Sequence, residues 1–284
     1  MTRRFPERTV CEHTVERLDF TVPSKSAAFF IVYLAMIAIE QIYQTATLIL
    51  IVGFLDTMER RHPRFPVNRG HNLGLNITAI LVVIFAGEFG KIILMKGFDT
   101  LNLSSMLASD SMRHLPSVFK ILLGLVFADC CLYWVHRGMH RRRILWLTHA
   151  FHHSIDQLWW LSGSRTSVTH LLLFAAPQIL LGYNVFQLTP IEAGIAFSIG
   201  VVVNIWIHTN IAVNLGPLDW FLITPNFHRI HHGARGLASK NLGFVLTIWD
   251  RLFGTYANPQ TIGDEFVLSS VSTRGRLLRL IAGV

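Results

Sequence analysis

At 284 residues, with 51% hydrophobic side chains and a mean hydropathy of +0.44, the chain is long enough for one large domain and too apolar for an ordinary soluble one. Its formal net charge of +8, from 25 Lys and Arg against 17 Asp and Glu, would raise the question of nucleic acid in a soluble protein. Here the arginines flank apolar runs and read as topology signals and anchors for anionic headgroups, so a bilayer rather than nucleic acid is the expected partner.

A polar stretch of roughly 25 residues opens the chain without the small-residue cleavage site of a removable signal peptide. Apolar segments follow at 27–55, 72–95, 115–135, 166–189 and 190–210. Each is near the ~20 residues with which a helix crosses a ~30 Å hydrocarbon core, and barrel strands would instead be short and alternating. Glu40, Gln41 and Gln44 lie near the middle of the first segment, where polar groups are costly in lipid. That segment is therefore expected to be tilted, broken, re-entrant or partly interfacial. Cys130 and Cys131, inside the third segment, and Cys11 have no disulfide-framework spacing and read as packing residues.

Only Leu188, Thr189 and Pro190 separate the fourth and fifth segments, which predicts a tight helical hairpin with its outer ends on one side of the membrane. That side receives the basic stretch 136–165, with Arg137, Arg141, Arg142, Arg143 and Arg165, and everything after the fifth segment. The excess of arginine makes it the cytoplasmic side. Arg60, Arg61, Arg64 and Arg69 fall there too, whereas Arg3, Arg4, Arg8, Arg17 and Lys25 would lie outside if the first segment spans fully. This conflict is a second reason to expect re-entry. Trp220-Phe221-Leu222-Ile223 and the run from Arg274 to Ile281 are too short to span and read as interfacial. With no repeat or linker, residues 1–284 are expected to form one all-α integral membrane domain, multi-pass. It should have about four to five transmembrane or re-entrant helices and a cytoplasmic histidine-rich, di-metal helical cap.

Eight of the 14 histidines fall in three clusters, His136/His140, His149/His152/His153 and His228/His231/His232. Helix positions four apart share a face and lie ~6 Å apart along the axis, so each cluster is expected to converge on one point. Imidazole is the commonest metal-binding side chain, and eight exceed what one ion takes, which points to two metals. His208 ends the fifth segment on the same side, one turn after Asn204, and is a candidate ninth ligand, with a helix-end hydrogen-bonding role as the alternative. His13, His62, His71 and His114 are isolated and read as ordinary polar residues; His170 is intermediate. Asp129, two turns before His136, is a candidate to orient a ligand imidazole, or else pairs with a loop arginine. A zinc hydrolase would need a general base, and no Glu lies inside any cluster. Glycine-rich dinucleotide and phosphate loops are also absent.

In this context Asp129-Cys-Cys-Leu-Tyr-Trp-Val-His136-Arg-Gly-Met-His140, Leu145-Trp-Leu-Thr-His149-Ala-Phe-His152-His153-Ser154 and Thr224-Pro225-Asn226-Phe227-His228-Arg229-Ile230-His231-His232 resemble the three histidine boxes of the fatty acid hydroxylase/sterol desaturase superfamily. Asn241-Leu242-Gly243, Trp249-Asp250-Arg251-Leu252-Phe253-Gly254-Thr255 and the pair His208 and Asn210 extend the resemblance, which covers about 129–256. Arg165-Thr166-Ser167-Val168 stands where the family often has Arg-x-His-Pro, and Leu242 replaces a frequent Tyr. The resemblance implies a membrane enzyme with two iron ions, dioxygen as co-substrate and a lipid substrate, which it hydroxylates or desaturates at an unactivated C–H bond. It implies metal ligands His136, His140, His149, His152, His153, His208, His228, His231 and His232, with Asp129 and Asn210 supporting them. No heme domain is fused, so an external electron donor, a ferredoxin or cytochrome with its reductase, is expected. Trp159, Trp160 and Phe227 are candidate lining or anchoring residues. The rival reading is a non-catalytic metal-binding or metal-transporting membrane protein.

Overall fold

Long apolar runs free of helix breakers become long helices. The computed structural model describes residues 25–107, 110–234, 236–263, 268 and 270–284, the side chains of 25–41, 44, 104, 105 and 110 excepted. The side chains of Glu40, Gln41 and Gln44, and the whole of Arg3, Arg4, Arg8, Cys11, His13 and Arg17, lie outside this description. Helix α1 runs over Lys25–Arg61, α2 over Leu73–Thr100 and α3 over Ser117–Arg141. A short α4, Arg143–His149, follows α3 after a single extended residue, Arg142. Helix α5, Val168–Ile179, continues into a π-helical turn at Leu180–Val185, and α6 spans Pro190–His208. The short α7, Pro225–His231, belongs to the cap. Strand structure is confined to two isolated bridges among the described residues.

Four helices, 73–100, 117–141, 168–185 and 190–208, are long and apolar enough to cross a membrane among the described residues. Phe85, Phe89, Phe119, Leu122, Phe127 and Phe197 are exposed on them, a surface suited to lipid rather than water. The first segment is one helix of 37 residues with no interruption at Lys25–Arg61, so the expected break is not found.

The predicted hairpin forms. Pro177 lies inside α5, the chain loosens into the π turn, and Thr189 caps α6 by accepting from the Glu192 N–H while the Glu192 carboxylate accepts from the Thr189 N–H. That reciprocal cap fixes the start of the helix. Lys120 and Glu192 form a buried ion pair at 2.7 Å, which ties the N-terminal ends of α3 and α6 together. Their C-terminal ends, and the N-terminal ends of α2 and α5, therefore meet at the other side, where the cap sits.

One boundary differs from the expectation. The third apolar run ends near 135, but α3 continues through His136 and His140 to Arg141. Apolarity stops at the bilayer edge, whereas the helix goes on because Tyr133, His136 and Met139 remain buried against the cap. Helix α4 then folds back along this overhang, with Leu145 close against Gly138.

Candidate metal centre

His136 and His149 are thirteen positions apart in sequence, yet their Nε2 atoms lie 2.9 Å apart, because α4 reverses beside α3. The structure gathers nine imidazoles into two groups, His136, His140, His149, His153 and His231 in one and His152, His208, His228 and His232 in the other. In each group one nitrogen per residue lies within 4.8 Å of all the others.

The groups cut across the sequence clusters. His149 and His153 join the first group while His152 joins the second; His231 joins the first while His228 and His232 join the second. The expectation that each cluster converges on a single point is therefore corrected. His149 ends α4 with His152 and His153 in the 3-10 turn after it, and His228 and His231 lie on α7; neighbouring histidines therefore point in different directions round the backbone and reach different groups. Pairs four apart, 136/140, 149/153 and 228/232, do stay together, the first because both residues lie on one face of α3.

Four outer ring nitrogens are fixed by backbone carbonyls. His136 Nδ1 reaches Leu242 O at 2.7 Å, His152 Nδ1 reaches Arg165 O at 3.0 Å, His208 Nδ1 reaches Asn204 O at 2.7 Å and His231 Nδ1 reaches Lys240 O at 3.2 Å. Each therefore carries its proton on Nδ1 and leaves Nε2 as a bare lone pair. His152 and His208 turn these bare nitrogens toward each other at 3.4 Å, and no proton is left to join them. Two imidazoles sharing one metal ion, each at about 2.1 Å, stand roughly 3 Å apart. The contacts between His153 and His231 at 3.0 Å, His208 and His228 at 3.1 Å, and His228 and His232 at 3.2 Å have the same spacing. Buried nitrogens of His140, His153, His228 and His232 have no hydrogen-bond partner, a cost that cation binding and the protons it displaces would change. The donor set fits two metal ions. Burial, followed by repulsion from neighbouring imidazoles, lowers the proton affinity of His149, His152, His153, His228, His231 and His232 well below the ordinary histidine value. Neutral imidazole is the form a metal needs.

The carboxylates are placed differently from the expectation. Asp129 accepts from the Val245 and Leu246 N–H groups and from the Trp249 indole, so it pins the loop after the third box and, among the described residues, meets neither an imidazole nor an arginine. Asp250 stands nearer to a ligand: it accepts from the Leu242 and Gly243 N–H groups at 2.7 Å and from Thr255, and the Leu242 carbonyl holds His136. Burial pushes its carboxyl upward, against these hydrogen bonds. Asn241 sits in the left-handed region at φ 54, tolerable for Asn, and its amide bridges Phe227 O and Ala257 O.

Asn210 donates from its side chain to Phe65 O and from its backbone to Glu59. Glu59 was not singled out by sequence reasoning. It is 1% exposed and also accepts from the Trp160 N–H and from Arg69, so the end of α1 is bound to the segments on either side of His208. Arg165, 2% exposed, donates to Asn76 and to Ser154 and thereby braces the turn carrying His152 and His153. For Arg165 the sequence offered one signal, a charged side chain between the second box and the fourth apolar segment; for Glu59 it offered none. His170 packs its Nδ1 3.1 Å from that of His149, beside the first group and not within it, while His62, His71 and His114 lie elsewhere and are exposed. Trp159 is buried under Arg69, and Trp160 donates to Asp56.

A helical membrane protein with two buried, all-imidazole groups at the cap is the class this architecture defines. Residues 121–255, just under half of the chain, match the family model described as fatty acid hydroxylase. Ornithine lipid hydroxylase OlsE of Rhizobium tropici is 38% identical over 51% of this chain and 44% of that protein. Alkylglycerol monooxygenase of Homo sapiens is 34% identical over 49% of this chain and 30% of that protein, and lathosterol oxidase of Homo sapiens is 28% identical over 54% and 50%. The chain thus spans about half or less of the length of these relatives. No solved structure matches it.

Proposed function

We propose that this chain is a membrane di-iron oxygenase that hydroxylates or desaturates an unactivated C–H bond of a lipid. It would use dioxygen and electrons from a separate ferredoxin or cytochrome with its reductase, and its metal groups would face the cytoplasm. The observation that carries this reading is the pair of inward-turned nitrogens of His152 and His208, bare and buried at 3.4 Å, in a domain whose relatives bear the names hydroxylase, monooxygenase and oxidase.

His136, His140, His149, His153 and His231 would hold one ion and His152, His208, His228 and His232 the other. Two bound iron ions would supply the one-electron chemistry that activates dioxygen and removes hydrogen from carbon. The protein's own share is orientation and dryness. Carbonyls of Leu242, Arg165, Asn204 and Lys240 aim four imidazoles, an arrangement that also raises ligand basicity. The cap keeps water from the groups, since eight of the nine histidines are buried. A lipid tail can approach along apolar helices while the reacting carbon is held in place. The transport reading gains no support, because both groups lie at helix ends under a covering cap and not at the middle of crossing helices.

Metal analysis of the purified protein beside His231→Ala and His152→Ala, followed by lipidomics of expressing cells, tests this. About two irons per chain, a loss of one in each variant, and a lipid gaining one oxygen or losing two hydrogens only with the wild type are expected. Metal-free protein indistinguishable from both variants would overturn it.

A further inference from the structure

A second recess lies on the cap, apart from the imidazoles. It has a volume of about 480 Å³ and is formed by the stretches 213–227 and 251–260. Two charged side chains line it, Asp219 and Arg251. The Arg251 guanidinium lies over the Tyr256 ring at 3.8 Å and the Trp220 ring at 4.8 Å. Its Nε donates to Trp220 O and Thr247 Oγ1, which leaves the two terminal NH2 groups without a hydrogen bond among the described residues. Asp219 accepts from the Leu215 N–H through one oxygen only. The two charges make no ion pair with each other.

The level of this recess follows from the helix it packs on. Asp129 precedes His136 by seven residues, or about 10 Å along α3 toward the middle of the membrane. It holds Val245, Leu246 and Trp249, and Leu246 bridges to Leu222 while Thr247 bonds to Phe221 O. The rim around Trp220 therefore lies on the bilayer side of the metal groups. Leu218, Trp220, Phe221, Leu252 and Phe253 are exposed along it, with Trp134 of α3 against Phe253, the composition of an interfacial belt. At the inner wall stands Phe227, next in sequence to His228.

We propose that this recess is a headgroup site for a zwitterionic lipid. Arg251 receives the anionic group and Asp219 the ammonium, while the chain continues past the apolar rim into the bilayer. A wholly apolar substrate such as a bare hydrocarbon engages neither charge, and a headgroup with only an anion engages Arg251 and not Asp219. The word substrate rests on the oxygenase reading; binding of the headgroup does not.

The test is quenching of Trp220 fluorescence by lipids brominated on the acyl chain, in nanodiscs of the uncharged digalactosyldiacylglycerol doped with brominated phosphatidylethanolamine, phosphatidylglycerol or diacylglycerol. The Trp220→Phe variant isolates the signal of Trp220. Phosphatidylethanolamine is expected to quench several-fold more than diacylglycerol, with phosphatidylglycerol between them. Arg251→Gln should erase the advantage of both charged lipids, Arg251→Lys should restore part of it, and Asp219→Asn should erase only the advantage of phosphatidylethanolamine over phosphatidylglycerol. Equal quenching by all three lipids, or an order that survives both Arg251→Gln and Asp219→Asn, overturns the proposal. Metal content measured on the same samples separates the two readings: ordered quenching without metal sinks the oxygenase and leaves the headgroup site, and metal without ordered quenching does the reverse.

Discussion

Gly163 decides how near His208 can come to the cap. A Cβ there would lie 2.5 Å from Cγ and Nδ1 of the His208 ring, and the Gly163 carbonyl also accepts from Asn204. Gly163→Ala should push His208 out of the second group while leaving the first intact. Elemental analysis should then find about half the wild-type metal, and an unchanged content would show that His208 is not a ligand. Asp250→Asn removes the charge from two short backbone hydrogen bonds that seat Leu242, and with it His136. The expected cost is about 1.5–3 kcal/mol of stability, the usual worth of hydrogen bonds to charged groups. Denaturant unfolding measures it, and a change below about 0.5 kcal/mol, the range of indifferent surface substitutions, would mean that Asp250 is not the anchor. At this scale the sequence made the nine imidazoles legible, because their spacing and type are chemical signals. It did not reveal which group each would join, since that depends on which neighbouring element each imidazole faces in the tertiary fold. Nor did it distinguish Asp129 from Asp250: both lie in box-like context, and only the tertiary fold says which one stands behind a ligand.

Apolar runs predicted the crossing elements to within a few residues, since length and hydropathy are local properties. What was not legible was where a helix continues after its apolar reason ends. Helix α3 overshoots to Arg141, and α4 folds back on it. Equally invisible was the attachment of α1, outside the matched domain, through Glu59. That carboxylate receives Arg69 and two backbone N–H groups, from Trp160 and Asn210, which neighbour the two segments framing His208. Glu59→Gln keeps the shape and weakens all three contacts. It should lower thermal stability and loosen the second metal group before the first, visible as preferential loss of one metal equivalent during dialysis against a chelator. Loss of both metals at the same rate would place Glu59 in general stability alone.

Across the whole molecule, polar chemistry is concentrated at two levels, the buried pair Lys120–Glu192 at one end of the bundle and the imidazoles at the other. The second level makes stability depend on pH. Six histidines outside the crossing segments hold protons far less readily when folded, through burial first and their neighbours second. In the unfolded chain each returns to about 6.5. Above that pH both states are neutral and the difference contributes nothing. As pH falls through it, the unfolded chain takes up protons that the folded chain refuses, so stability declines by up to about 1.4 kcal/mol per histidine and pH unit. Bound metal competes with those protons in the folded state only, and so the loaded protein should resist acidification further than the metal-free one. Thermal unfolding in detergent from neutral pH downward should show the metal-free protein weakening below about pH 6.5 and the loaded protein weakening later. Two coincident curves would mean that the imidazoles are not where the metal is bound, and a metal-free curve flat to acidic pH would mean that they are not buried as a group.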